Sequence, residues 1–499
     1  MQRLVIHQKI GQPGSVRVWL GITGQSAVPP LEWSLDGTRT NPRVVRELSH
    51  AFRYQSGSPA TITGVLDLGC GLEPGTTHRI DVNLVRNNRI LDSASIKAAL
   101  LPKQLGSEPL SILLGSCFSN RTDHGAVGHV VSEIRPAPAL TLLVGDQVYL
   151  DPPLLLRFAQ GRDQLARMFE RQYQENWMRS IDGRKLSGYS RLLNFAPTAT
   201  IPDDHEFWNN HPNRQPQLPI TWTSDGRNAW RDAAMAMYKA FQCIEHDTGN
   251  CQFINIDPLS ICLLDNRTAR DDVPGTSMTY SARTQLVNWV DGVLSKVDGA
   301  HQRIIPVLVT GPSLVQPRKS AVGRIADANL ANFDDYLLIM DQLRRLLEAG
   351  YPVLLLTGDV HYPRISRAVM PDAIASRGGV LTEVISSPIS LVQFPGLDQL
   401  HQHVSRSGAI AARWPRTKPP KADVIPLHFE QYFPDPHSDS DDTYGDHLAV
   451  LTFGPRTTTG VSLRVQYHPI KKGETRGSRL GDMRPTEIPL TWNFIEGNT

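Results

Sequence analysis

The sequence predicts an α/β fold with a parallel or mixed sheet, preceded by a smaller all-β region. Three observations predict it: short apolar runs bounded by glycine or proline, stretches of helical periodicity between them, and alternating segments near the N-terminus. Such apolar runs suit strands that are buried on both faces, which belong to parallel or mixed sheets covered by helices. Because 499 residues exceed one ordinary domain, we expect two domains, at residues 1–104 and 105–499.

The first of these regions is predicted to be a small β-sandwich. Residues 16–20 and 61–66 are short alternating segments separated from their neighbours by glycine and proline, which is typical of strands joined by turns. The stretch 62–80, with LEPGT at residues 72–76, resembles the turn and strand of fibronectin type III-like modules. We therefore expect a fibronectin type III-like N-terminal domain.

Helical and strand patterns alternate after about residue 105. Residues 331–349 carry apolar positions at helical spacing, and Gly350 follows as a helix stop. Two further stretches, at about 153–178 and 227–244, are predicted helices that cover the site. Strand character returns at about 446–466, where we expect strands at the edge of the sheet.

The composition describes a globular protein without a general attraction to polyanions. Lys and Arg number 51 against 49 Asp and Glu, so neither nucleic acid nor a membrane is expected as a general partner. No apolar run approaches the roughly 18 residues of a membrane span, and the first residues show no signal-peptide or twin-arginine pattern. Five sparse cysteines favour a cytoplasmic protein with free thiols, although Cys243 and Cys251 could pair.

Five of the predicted strands end in polar groups that can bind a metal or a phosphate. The strands are residues 112–114, 140–144, 198–201, 261–264 and 353–356. In open α/β sheets, ligands bind beyond the carboxyl ends of the strands, so we expect these groups to gather into one site. They include Cys117, Asp146, Tyr149, Asp204, His205, Asp265, Arg267, Asp359 and His361.

Residues 203–206 place three carboxylates and an imidazole next to one another. Such a cluster is electrostatically costly unless cations or cationic side chains offset the repulsion. A metal or general-acid site is therefore favoured, and a solvated acidic turn is the alternative. His205 and His211 are six residues apart, whereas a helical zinc-protease pair needs a spacing of four. This spacing excludes a zinc-protease interpretation.

Three shorter patterns have both a chemical and a structural interpretation. Asp146 follows a glycine after a strand, so it either bridges two cations or forms a simple turn. Asp359 and His361 project on one side if the backbone stays extended, although a chance Asp-x-His is common. Cys117 is interpreted as a metal ligand first, then as a buried core residue, then as a nucleophile.

Two arginines follow the fourth polar strand end. The guanidinium groups of Arg267 and Arg270 could clamp a phosphate, and the alternative for Arg267 is an ion pair with the acidic cluster. The sequence has no phosphate-cradling P-loop, no G-x-S-x-G elbow and no paired C-x-x-C zinc signature. Kinase, α/β-hydrolase and zinc-ribbon interpretations therefore lack support.

In their order along the chain, these motifs resemble the alkaline phosphatase D-like family of metallophosphoesterases, within the calcineurin-like superfamily. The resemblance covers about residues 105–365 and implies a four-layer αββα sandwich with a metal site at the strand ends. The motifs are Ser116-Cys117, Gly145-Asp146-x-x-Tyr149, Asp203-Asp204-His205-Glu206 with Asn209-Asn210, Asp265-Asn266-Arg267-x-x-Arg270 and Gly358-Asp359-Val360-His361.

The resemblance also implies how the ligands are divided between two cations. Asp146 would bridge them, and Cys117 and Tyr149 would join His361 or Asp359 around a ferric-type ion. The second cation, of a calcium or manganese type, would be held by oxygen ligands. The ligands implied for it are Asp204, Asn209 and Asp359.

The chain departs from the wider superfamily at two places. Ser116-Cys117 stands where an Asp-x-His is usual, and Thr310 to Ser313 follow the middle strand without the further histidine. Both departures agree with the D-type branch. They leave the metals open between Fe³⁺ with Ca²⁺ and combinations with Mn²⁺, Mg²⁺ or Zn²⁺. Family members are typically exported through a twin-arginine signal, which this sequence does not show.

The expected activity is metal-dependent hydrolysis of phosphate monoesters, diesters or both, by attack of a metal-bound hydroxide on a small-molecule phosphoester. His205 would protonate the leaving alkoxide or orient the phosphate. One alternative is a non-catalytic interaction protein with a degenerate site, which binds through its N-terminal β-domain. The other is a thiol enzyme that uses Cys117.

Overall fold

The structure is a computed structural model, and it describes most of the chain. Among the described residues, none of the helices is long and apolar enough to cross a membrane. The described ranges are 3–151, 161–181, 185–186, 188–215, 218–245, 248–270, 276–295, 304–314, 333–361, 363–390, 428–433, 446–470 and 485–491.

The larger sheet has ten strands and a parallel centre. β9, β10 and β13 run parallel, and β21, β22 and β23 continue the sheet antiparallel beyond β9. The N-terminal strands join the other side, where Lys9 of β1 pairs with Thr198 of β13. In spatial order the strands are β23 (Thr486–Thr491), β22 (Gly460–Pro469), β21 (His447–Phe453), β9 (Leu110–Gly115), β10 (Leu140–Val144), β13 (Thr198–Ile201), β1 (Arg3–Lys9), β2 (Val16–Thr23), β6 (Ile62–Leu68) and β5 (Arg43–His50).

The second large sheet has seven strands, four of which are parallel. β15, β16, β17 and β19 run in one direction, and β14, β18 and β20 pair antiparallel at the sides. In spatial order the strands are β14 (Gln252–Ile256), β15 (Leu259–Leu263), β16 (Ile305–Val309), β17 (Pro352–Thr357), β19 (Val380–Ile385), β18 (Arg364–Val369) and β20 (His428–Phe433).

The remaining described strands form two smaller sheets, and helices lie between strands along the chain. The four-stranded sheet has the order β4 (Thr38–Thr40), β3 (Leu31–Leu35), β7 (Thr77–Arg86) and β8 (Arg89–Ala99), and β11 (Ser180–Ile181) pairs antiparallel with β12 (Lys185–Leu186). The described helices are α1 (Asn120–Asp123), α2 (Ala126–Glu133), α3 (Arg162–Trp177), α4 (Tyr189–Leu192), α5 (Ser224–Phe241), α6 (Tyr280–Leu294), α7 (Asp335–Glu348) and α8 (Asp372–Ala375), with short 3₁₀ helices at Asp204–Glu206 and Pro219–Trp222.

The predicted mixed α/β architecture is confirmed. The helix predicted at 331–349 is observed as α7, and the one predicted at 227–244 is observed as α5. Of the cover predicted at 153–178, α3 accounts for the part from Arg162 onward, and residues 152–160 lie outside the described residues. The strands predicted at 446–466 are β21 and β22.

The two large sheets pack face to face through a continuous apolar core. Leu114 and Leu142 of the ten-stranded sheet lie in one cluster with Ile261, Val307 and Leu356 of the seven-stranded sheet. Because side chains alternate along a strand, the neighbouring residues of the same strands face outward. There they bury a second cluster against α2, α3, α4 and α5 and a third against α6 and α7.

The N-terminal strands have a core of their own. Leu4 and Val18 on one face of the ten-stranded sheet pack against Trp33, Ile80 and Val82 of the four-stranded sheet. The same strands β1 and β2 present Val5 and Trp19 to the helices on the opposite face. The N-terminal region therefore contributes both to its own core and to the core under the helices, and the boundary at residue 104 stays a prediction.

Buried polar side chains of the N-terminal strands hold the C-terminal end of α5. Lys9 Nζ donates to the Gln242 carbonyl at 2.9 Å, and Arg46 donates to the Ala240 carbonyl at 2.7 Å. Trp19 Nε1 donates to that second carbonyl at 2.9 Å. The last carbonyls of a helix have no partner within the helix and carry a partial negative charge. Lys9 and Arg46 therefore cap the C-terminal end of this helix. Burial lowers the pKa of Lys9 to about 7.

The buried Lys9 predicts a pH-dependent stability. The pKa of Lys9 is lowered from 10.5 to about 7 in the folded protein. The folded state therefore releases this proton above pH 7 while the unfolded chain keeps it, so the free energy of unfolding rises with pH. We expect wild type to gain about 2 kcal/mol relative to Lys9→Met between pH 7 and pH 9, measured by urea denaturation.

The matched control is Lys97→Met, which removes an exposed lysine. Its denaturation curve is expected to follow that of wild type across the same pH range. Equal pH profiles for wild type and Lys9→Met would contradict the prediction.

Candidate metal centre

The carboxyl ends of the parallel strands of both sheets meet at one edge. Cys117 follows β9, Asp146 follows β10, and the acidic run 203–206 follows β13. Asp359 and His361 follow β17 of the second sheet. Backbone hydrogen bonds tie the strand-end loops together, since the Cys117 amide donates to the Gly145 carbonyl at 3.1 Å and the Phe118 amide to the Asp146 carbonyl at 2.7 Å. The fold therefore collects the residues that the sequence scatters.

Three overlapping groups of side chains at this edge could each hold a cation. Within each group the candidate ligand atoms lie within 4.8 Å of one another. The first two groups share Asp146, and the last two share Asp204. The arrangement is therefore a continuous array with room for more than one cation. The groups are Cys117, Asp146 and His361; Asp146, Asp204 and His205; and Asp203, Asp204 and Asp359.

The ligand-bearing loops have strained backbones. Cys117, Asp146, Asp359 and His361 have φ angles of 59°, 56°, 69° and 60°. This left-handed region is costly for residues other than glycine and is concentrated at functional sites. The condition under which Asp359 and His361 would project on one side, an extended backbone, is not met, because the chain turns immediately after β17. A turn, and not a strand, brings both side chains to the site.

Close packing of the loops explains why a glycine precedes Asp359. A Cβ atom on Gly358 would lie 2.5 Å from Ser116 Oγ and 2.8 Å from the Val144 carbonyl oxygen. His361 is held by a hydrogen bond from its amide to Ser387 Oγ at 3.1 Å. The turn after β17 is therefore pressed against the loops of the larger sheet.

The site is negatively charged and buried, which fits cations. Burial raises the pKa of Asp146 well above its usual range, and the Asp204 and Asp203 carboxylates raise it further, although His205 opposes them. Burial also raises the pKa of the Cys117 thiol, and the nearby carboxylates add to this shift. Asp204 Oδ1 and Asp203 Oδ2 are buried without a hydrogen-bond partner. Bound cations would satisfy these oxygens and stabilise the anionic ligands.

Cys117 lies in the first group with support from two neighbours. Its sulfur is 3.4 Å from Asp146 Oδ2, and Ser387 Oγ donates to it at 3.1 Å. Tyr149 lies beside this group, with its hydroxyl 3.5 Å from His361 Nε2. Burial raises the pKa of Tyr149, and Cys117 and Asp146 raise it further. A nucleophilic thiol has to be accessible to its substrate, so the full burial of Cys117 argues against a thiol enzyme.

His205 is oriented by a carboxylate that the sequence analysis did not identify. Its Nδ1 lies 2.6 Å from Asp151 Oδ1, and its ring centroid lies 4.2 Å from that of Tyr149. Because an ionised carboxylate only accepts hydrogen bonds, Nδ1 carries the proton. Burial lowers the pKa of His205, but the carboxylates, Asp151 foremost, raise it well above its usual value. The signal that could have found it is the position of Asp151, two residues after Tyr149 in the loop that follows β10.

Asn209, the remaining ligand implied by the resemblance, lies in the loop that follows β13. Its backbone amide donates to Asp151 Oδ2 at 2.6 Å, and the next amide, of Asn210, donates to Asp204 Oδ2 at 2.6 Å. These bonds place Asn209 beside the Asp204 group. A ligand role for its side chain stays a prediction.

For Arg267, the structure shows the ion-pair alternative. Its Nε donates to Asp203 Oδ1 at 2.5 Å and its Nη1 donates to the His211 carbonyl at 3.0 Å. Arg270 is buried behind it, where its Nε donates to the Asn266 carbonyl at 2.8 Å and its guanidinium lies 4.8 Å from the Phe333 ring. Phosphate binding by either arginine stays a prediction.

Known proteins with this architecture were found by comparing structures. The chain aligns with the solved structure of PhoD over 99% of this chain and 92% of that chain, with 14% identity and a TM-score of 0.57. It aligns with purple acid phosphatase PPD1 from yellow lupin (Lupinus luteus) seeds over 95% of this chain and 74% of that chain, with 10% identity and a TM-score of 0.54. A scan against family models and a search of curated proteins find no match.

At these identities the similarity shows a shared fold, and it confirms at that level the family resemblance predicted from the order of the motifs. The ligand assignments of individual residues are not carried by the alignment.

The site predicts a specific effect of removing the buried thiol. We expect protein purified without chelators to retain about two cations, and Cys117→Ser to lose one of them, because an alcohol is a weaker ligand than a thiolate. Elemental analysis of the purified proteins measures this. Cys70→Ser, which changes an exposed cysteine, is expected to keep the wild-type content. Equal cation content in all three proteins would contradict a ligand role for Cys117.

Proposed function

We propose that this protein is a metal-dependent phosphoesterase that hydrolyses phosphate monoesters, diesters or both. One observation carries the proposal: among the described residues, three overlapping groups of ligand side chains, each with two buried members, lie where the strands of two sheets end, and Asp146 belongs to two of these groups. A shared carboxylate is the arrangement that a pair of cations needs. The fold that the chain shares with PhoD and purple acid phosphatase supports the same class of activity.

We assign the architecture to a four-layer αββα sandwich with an N-terminal β-sandwich. The apolar cores support this assignment, since one lies between the two large sheets and one on the outer face of each. The core between the N-terminal strands and the four-stranded sheet supports the β-sandwich.

The first cation would be held by Cys117, Tyr149, Asp146 and His361. This set combines a thiolate, a phenolate, a carboxylate and an imidazole, which favours Fe³⁺. The second would be held by Asp146 together with oxygen ligands, which favours Ca²⁺, with Mn²⁺, Mg²⁺ or Zn²⁺ as alternatives. The oxygen ligands are Asp204, Asn209 and Asp359. When bound, such a pair of cations binds phosphate oxygens and acidifies a water molecule.

His205 is assigned the proton on the leaving-group side. Its Nδ1 is occupied by Asp151, so Nε2 is the nitrogen that can donate to the oxygen of a leaving alcohol. Contact with the tilted Tyr149 ring helps to hold the imidazole in place beside Asp146 and Asp204. A cationic imidazole next to a buried acidic site suits both tasks, orienting a phosphate and protonating the departing oxygen.

We further propose a small-molecule substrate and a reducing compartment. The net charge of +2 gives no electrostatic preference for nucleic acid or an anionic membrane. All five cysteines are free, which supports a reducing environment such as the cytoplasm.

Replacing the shared carboxylate tests the proposal directly. In Asp146→Asn, a neutral amide replaces the anionic ligand shared by two of the groups, so we expect loss of both cations and a fall in turnover of at least about 10³-fold. Elemental analysis and hydrolysis of an aryl phosphate monoester and diester measure the two effects.

Wild-type-like turnover in Asp146→Asn would contradict the assignment of this site. A wild-type protein that stays inactive and free of metal after metal addition would instead favour a non-catalytic interaction protein.

The role of His205 is tested with two leaving groups. His205→Gln is expected to lower kcat by about 10²–10⁴-fold on an alkyl phosphate. The loss should be much smaller on 4-nitrophenyl phosphate, whose leaving oxygen needs no proton. Asp151→Asn is expected to give the same pattern with smaller amplitude, because the ring remains but its orientation is lost. Equal losses on both substrates would contradict proton donation by His205.

A further inference from the structure

The Glu206 carboxylate lies beneath the ligand loops and accepts four hydrogen bonds. Oε2 accepts from the backbone amides of Asp146 at 2.9 Å and Asp203 at 2.8 Å. Oε1 accepts from the backbone amide of Gln147 at 2.6 Å and from Gln242 Nε2 at 3.1 Å. The side chain is fully buried. One carboxylate thus joins the loop after β10 to the loop after β13.

We propose that Glu206 is a positioning residue that fixes both ligand loops in their cation-binding conformation and thereby sets the affinity of the site for cations. The proposal rests on the proposed metal centre, but it concerns cation affinity and not the reaction. Glu206 itself contributes no ligand atom to the three groups.

The geometry requires a carboxylate at this position. Two donors point at each oxygen, so all four acceptor positions of the ionised group are used. A glutamine has the same shape but offers one oxygen and one NH₂ group. Its NH₂ would face two N–H donors, so at least one backbone amide of the ligand loops would lose its acceptor whichever way the amide is turned.

The backbone at Asp146 shows what these hydrogen bonds hold in place. Asp146 has a φ of 56°, a conformation that an aspartate leaves readily unless its surroundings fix it. Its own amide and that of Gln147 both donate to Glu206. Without the Glu206 oxygens, the backbone would no longer be fixed in the conformation that places the Asp146 carboxylate where it could bind cations.

The fourth donor connects this arrangement to the N-terminal strands. Gln242 follows α5, and its Nε2 also donates to Tyr173 Oη at 3.1 Å. Its carbonyl accepts from Lys9 Nζ at 2.9 Å and from Thr200 Oγ1 at 3.2 Å. Gln242 is therefore fixed at both its side chain and its backbone.

The test compares two buried glutamates with similar environments. Glu170 accepts hydrogen bonds from the Thr61 amide and hydroxyl and from the Tyr54 hydroxyl, and none of these residues belongs to the ligand groups. Glu206→Gln and Glu170→Gln are both expected to lower the denaturation midpoint. Chelator-treated proteins are then titrated with Mn²⁺ alone, and free Mn²⁺ is followed by electron paramagnetic resonance.

We expect Glu206→Gln to bind Mn²⁺ about 10–100-fold more weakly than wild type, as is typical when residues that support metal ligands are changed. Glu170→Gln is expected to bind Mn²⁺ as wild type does. Unchanged Mn²⁺ affinity in Glu206→Gln, or an equal loss in both variants, would overturn the proposal.

A second variant covers the case in which Glu206→Gln does not fold. Gln242→Leu removes one donor to Glu206 and leaves the three backbone amide donors intact, and we expect a loss of Mn²⁺ affinity of several-fold. Wild-type affinity in this variant, with Glu206→Gln unfolded, would overturn the proposal. A wild-type protein that binds Mn²⁺ but hydrolyses no phosphoester would overturn the proposed function alone. A wild-type protein that binds no Mn²⁺ would overturn both.

Discussion

Repulsion among buried carboxylates is the constraint on which the site depends. Asp146 and Asp203 both lie close to Asp204, and all three side chains are buried. Like charges destabilise one another strongly in a buried environment. The protein offsets part of this repulsion itself. Arg267 pairs with Asp203, and His205 lies beside Asp204. Among the described residues, no arginine forms an ion pair with Asp146, and Asp204 retains a buried oxygen without a hydrogen-bond partner. The residual negative charge is thus concentrated where cations would lie.

The two sheets hold the loops that carry these carboxylates in fixed positions. Parallel strands end at the same edge of a sheet, and the loops that follow them pack closely together. The crowding around Gly358 shows that these loops have little room to move apart. The left-handed backbones at Cys117 and Asp146 cost energy. Hydrogen bonds from Ser387 and to Glu206 offset that cost. The strained backbones bring the buried carboxylates together, and the hydrogen bonds from Ser387 and to Glu206 stabilise those backbones.

What the sequence predicts well is whatever depends on local pattern. Apolar runs that end in polar residues predict the parallel strands and the ligand candidates at their ends, because buried strands and strand-end sites leave their mark within a few residues. The supporting residues Asp151, Glu206 and Ser387 act through partners that lie tens or hundreds of residues away. Their roles are set by packing, which a single sequence does not encode locally. The same holds for Arg267, whose two alternatives are separated only by the position of Asp203.

The N-terminal strands belong to the support of the site as well as to their own core. Lys9 and Arg46 hold the end of α5, and the residue that follows this helix, Gln242, donates to Glu206. From Glu206 the hydrogen bonds reach the backbone of Asp146. Each step is a buried polar contact, and a buried polar group is costly to leave without its partner. The first strand of the chain therefore helps to fix the loop that carries the carboxylate shared by two of the ligand groups.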